Sequence, residues 1–73
     1  MSNAVHGLRP EEVAKIKAAV RSFIPNEGDD YKDVAASLSS HIADELGYYP
    51  DGMPCGDASP RKFLDWKAAV LAA

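Results

Sequence analysis

The chain has 73 residues, a formal net charge of −3 and one cysteine. That length fits one small domain with a thin core and marginal stability, and a lone cysteine excludes an internal disulfide. The acidic balance argues against the broadly basic face of a duplex-DNA binder. The longest apolar stretch, residues 68–73, falls far short of the roughly 20 residues of a membrane span. With no secretory pattern in the polar first residues, a cytoplasmic setting is expected. Residues 1–8 read as a disordered N-terminus whose start, Met1-Ser2-Asn3-Ala4, partly resembles a cloning remnant. Residues 9–73 read as a single three-helix domain.

The first helix is expected over residues 10–24. Pro10 suits the first helical position, and Glu11 and Glu12 suit the positive end of the helix dipole. Leu8 can staple back onto Val13. Val13, Ile16, Val20, Phe23 and Ile24 recur at helical spacing, and Pro25 stops the run. Asn26-Glu27-Gly28 is a turn.

The second helix is expected over residues 30–46, capped by Asp29 or Asp30. Tyr31, Val34, Ala35, Leu38, Ile42 and Leu46 form its apolar stripe, the cleanest in the chain. Gly47 is a natural stop. A long ordered loop follows, with Pro50-Asp51-Gly52 as a turn and Pro50 and Pro54 as stiffeners. It is expected to fold over one end of the bundle. Ser59-Pro60 then opens a third helix over residues 60–72. The fold expected is therefore a small all-α three-helix domain, with the second helix central. Its predicted core is Val13, Ile16, Val20, Phe23, Tyr31, Val34, Leu38, Ile42, Leu46, Phe63 and Leu71.

Little in this pattern carries catalytic chemistry. Ser37, His41 and Asp44 come together on a helix by spacing alone, and one solvated face lacks the buried acid and cleft that a triad needs. No catalytic residue is assigned. Cys55, His6 and His41 lack the paired short spacings of a zinc site, so no metal and no cofactor are expected. Cys55 reads as a small apolar plug under the loop rather than as a reactive thiol. The acids from Glu27 to Asp33 are in the wrong order for an EF-hand and suit turns and caps.

Two binding readings remain. The favoured one is a non-enzymatic protein-interaction module, a small adaptor or inhibitor of the kind bacteria and phages make, with another protein as partner and a homodimer through the third helix as an option. Its contact residues would be Tyr48, Tyr49, Met53 and Trp66, types enriched at interfaces. Trp66 fits a core somewhat better than a surface. Tyr48 and Tyr49 are adjacent, so at least one should point outward. The alternative is a small DNA-binding domain using a basic stripe of Lys15, Lys17, Arg21, Arg61 and Lys62, provided that the first and third helices lie side by side. It lacks the tight turn of a helix-turn-helix, which makes a nucleic-acid partner the weaker expectation.

Overall fold

The computed structural model describes residues 7–72. It contains three helices: α1 (Pro10–Ser22), α2 (Tyr31–Leu46) and α3 (Pro60–Ala72). Leu8, just before α1, packs against the core. Residues 1–6 lie outside the described residues.

Local chemistry sets the helix ends. Glu12 Oε1 accepts the Arg9 backbone N–H at 2.9 Å, which ties the chain to the start of α1. Phe23 is extended (φ −77°, ψ 127°), so α1 stops at Ser22 rather than near Ile24. The residue before Pro25 is barred from helical geometry, and Ile24 is left 84% exposed. Asp30 caps α2 by accepting the Asp33 N–H at 3.0 Å. Gly47 closes α2 in left-handed backbone at φ 86°, where a side chain would be strained.

α2 is the central element and packs against both neighbours, while α1 and α3 meet less extensively. α1 runs antiparallel to α2. Near its start Glu12 meets Tyr48 just beyond the end of α2, and at its end Ser22 Oγ meets His41 Nε2 at 3.1 Å. The buried core is Ile16, Ala19, Ala35, Leu38, Ile42, Leu46, Phe63, Trp66 and Val70. Phe63 and Trp66 pack with ring centroids 5.9 Å apart. The Trp66 indole N–H is buried with no hydrogen-bond partner among the described residues, which offsets part of its packing gain.

Two core expectations are corrected. Tyr31 is 43% exposed and Leu71 is 42% exposed. Tyr31 is the first residue of α2, and the Arg61 guanidinium lies over its ring at 5.5 Å, so it forms a surface stack. The buried stripe of α3 is Phe63, Trp66 and Val70, which turns Leu71 outward. Val13, Val20 and Phe23 pack at the core margin, half-buried.

The loop between α2 and α3 does not simply cover one end of the bundle. Its Pro50–Met53 turn is closed by the Met53 N–H donating to the Pro50 carbonyl at 3.3 Å, with Gly52 at φ 84°. The chain then returns along α2 until Gly56 lies buried against it. A Cβ added at Gly56 would stand 2.1 Å from the Ala35 carbonyl oxygen and 2.5 Å from Ser39 Oγ. From Leu46 back to Ala35 the helix spans about 16 Å, which is why a tight turn could not make this connection. α3 therefore starts beside the start of α2, where Arg61 meets Tyr31.

Gly56→Ala should destabilise the domain by about 2–3 kcal/mol, because backbone must shift to admit the methyl group. In a domain of this size that lowers the melting temperature by roughly 10–20 °C. Gly52→Ala meets open space and only backbone strain, and should cost about 1 kcal/mol. Thermal denaturation of both variants checks the order; equal stabilities would contradict the close approach.

Candidate functional site

The fold brings the start of α1 against the residues that follow α2. Gly7, Arg9, Glu12, Tyr48, Tyr49 and Asp51 line a cleft there of about 290 Å³. Pro10 and the Arg9–Glu12 contact fix one wall; the left-handed Gly47 and the Pro50–Met53 turn fix the other. The Glu12 carboxylate joins them, since Oε2 accepts the Tyr48 hydroxyl while Oε1 accepts the Arg9 amide. Both carboxylate oxygens thus have a donor, which favours the charged form. The Tyr48 hydroxyl, and then the Arg9 amide, hold the Glu12 carboxyl below its ordinary value. The same bond, helped by desolvation, pushes the Tyr48 phenol above its ordinary value. Arg9 Nη1 is 4.0 Å from Glu11 on the open side of α1.

Of the four expected protein-contact residues, the structure groups two. Tyr48 and Tyr49 are both exposed, at 51% and 57%, and both line the cleft. Met53 is half-buried and packs against the core. Trp66 is corrected: it is 4% exposed and belongs to the core, because it shares the inward stripe of α3 with Phe63 and Val70. Cys55 is likewise corrected, since it is exposed and plugs nothing. The small buried residue of the loop is its neighbour, Gly56.

The other candidates stay apart. His41 turns toward α1, where it meets Ser22 and the Phe23 ring at 5.7 Å, while Ser37 and Asp44 are exposed. Among the described residues no group of three His, Cys, Asp or Glu side chains could hold a metal ion. His6 lies outside the described residues. Lys15, Arg21, Arg61 and Lys62 are exposed and Lys17 is half-buried. α1 and α3 each pack chiefly on α2, so the side-by-side arrangement that a joint basic stripe needs is only weakly met. Arg61 also lines a second cleft of about 310 Å³ with Tyr31, Leu64 and Asp65. Among the described residues, no helix is long and apolar enough to cross a membrane.

Sequence reasoning missed Arg9, Glu12 and Asp51 as cleft residues. A Glu three residues after the helix cap is a recognisable signal for a side chain that reaches back, and it could have flagged Glu12. No protein-family model, curated protein or solved structure matches the chain.

The Tyr48–Glu12 bond gives a pH dependence of defined sign. A lowered carboxyl stabilises the fold above its unfolded value and loses that contribution as pH falls through its folded value. A raised phenol stabilises the fold below its ordinary range and loses that contribution as pH rises past it. Tyr48→Phe should therefore raise the Glu12 titration midpoint, read from its side-chain carboxyl resonance. An unchanged midpoint would show that the bond does not form in solution.

Proposed function

We propose that this chain is a non-enzymatic protein-interaction module whose contact surface is the Tyr48–Tyr49 corner and its cleft, with Met53 supporting it from the core side. The observation that carries the reading is the exposure of two adjacent tyrosines, each more than half open, in a domain that buries Phe63 and Trp66. Tyrosine suits a contact surface because it offers large apolar area, a polar tip and few rotatable bonds. Tyr48 is held in place by Glu12 before any partner arrives, which lowers the ordering cost of binding. Tyr49 has no hydrogen bond or ion pair among the described residues, so its exposure serves no internal contact of that kind. The partner is another protein, and the residues of the corner supply contact rather than chemistry.

Affinity capture with the wild-type chain and with Tyr49→Ala tests this. The variant should keep its helical circular dichroism and lose the captured partner, with affinity falling about tenfold or more if Tyr49 is a hot spot. Trp66→Ala is the contrasting case: it should cost about 3–5 kcal/mol and unfold much of the domain. A partner that binds Tyr49→Ala as tightly as wild type would overturn the assignment of this surface.

A further inference from the structure

Resting on the reading that the Tyr48–Tyr49 corner contacts a protein, the geometry points to the chemistry of that partner: a basic segment that places an arginine or lysine side chain in the cleft. Three observations carry this. The first is the shape and lining of the site. A cleft of about 290 Å³ is lined by two tyrosines, the acids Glu12 and Asp51, and Arg9. A cation between an aromatic face and a carboxylate gains from both the ring quadrupole and the charge.

The second is the balance of charge around it. The last turn of α2 carries no basic residue, although cations are what the negative end of a helix dipole favours. Asp44 and Glu45 stand there instead, both exposed, just before Tyr48. Among the described residues Arg9 is the one cation of the cleft lining; it lies 4.0 Å from Glu11 and its charge also acts on Glu12. Residues 7–12 and 44–51 carry five acids, Glu11, Glu12, Asp44, Glu45 and Asp51, against one base, Arg9.

The third is which groups are already engaged. Glu12 is fixed by two donors and holds Tyr48 in position. Asp51 and Tyr49 have no hydrogen bond or ion pair among the described residues, so an acceptor and an aromatic face remain for an incoming cation. The Tyr48 hydroxyl and the Arg9 amide favour the charged form of the Glu12 carboxyl.

The test is a titration of the isotope-labelled full chain, followed by amide chemical shifts. The probe is an acetylated, amidated Gly-Arg-Gly-Arg-Gly peptide, and the control is the same peptide with citrulline for arginine. The expected result is shifts centred on Arg9, Glu12, Tyr48, Tyr49 and Asp51, weakened by salt and absent with the citrulline peptide. Asp51→Asn and Tyr49→Ala should each weaken the peptide by about three- to tenfold. Equal binding of the citrulline peptide would overturn the inference. So would shifts spread evenly over the other acids, such as Asp29, Asp30 and Asp33, or no shifts at millimolar peptide. The two readings separate cleanly. A Tyr49-dependent protein partner that the arginine peptide does not displace leaves the contact surface standing and removes its cationic occupant.

Discussion

The contact on which this fold depends most is the seating of the Gly56 backbone against α2 at Ala35 and Ser39. It fixes where the loop returns, and so where α3 starts. With α3 anchored there, Phe63, Trp66 and Val70 reach the apolar face of α2 and complete the core. The contact needs three small residues at once. Gly56 has no side chain, Ala35 is buried, and Ser39 turns its hydroxyl onto the Ala36 carbonyl at 2.9 Å, which satisfies that buried hydroxyl. A larger residue at any of the three would push the loop outward and open the core beneath it.

The same constraint shapes the surface. Because the loop must travel back along α2, its first residues leave the helix end in a fixed direction, set by the left-handed Gly47 and the turn at Pro50. That direction carries Tyr48 across to α1, where Glu12 receives its hydroxyl. The loop therefore has two jobs, divided along its length. Residues 48–51 face the cleft, and Gly56 holds the fold together. Met53 lies between them and packs inward.

Much of the fold was legible in the sequence, for reasons that are local. Helix starts at Pro10 and Pro60, a cap at Asp29 or Asp30 and the stop at Gly47 each follow from the chemistry of one or two residues. Which face of α3 turns inward was not legible. Leu71 lies five residues from Trp66, on a different side of the helix, and the packing on α2 buries the Phe63, Trp66 and Val70 side and leaves Leu71 exposed. Gly56 was equally hidden. Its backbone is not in the left-handed region, so no turn signal marks it, and the close approach to Ala35 exists only in three dimensions. Tyr48 and Tyr49 were identified from type and adjacency, whereas their acidic neighbour Glu12 comes from the far side of the sequence. Its place as third residue of α1 was visible, but its partner Tyr48 was not.

The most direct measurement is a set of proton–proton distances in solution between the Gly56 Hα atoms and the side chains of Ala35 and Ser39. The account predicts strong nuclear Overhauser effects to both, together with slow exchange of the Ser59 amide that bonds the Cys55 carbonyl at 2.7 Å. Absent effects and random-coil shifts across residues 50–58 would contradict it. They would show a loop that neither seats α3 nor aims the tyrosines.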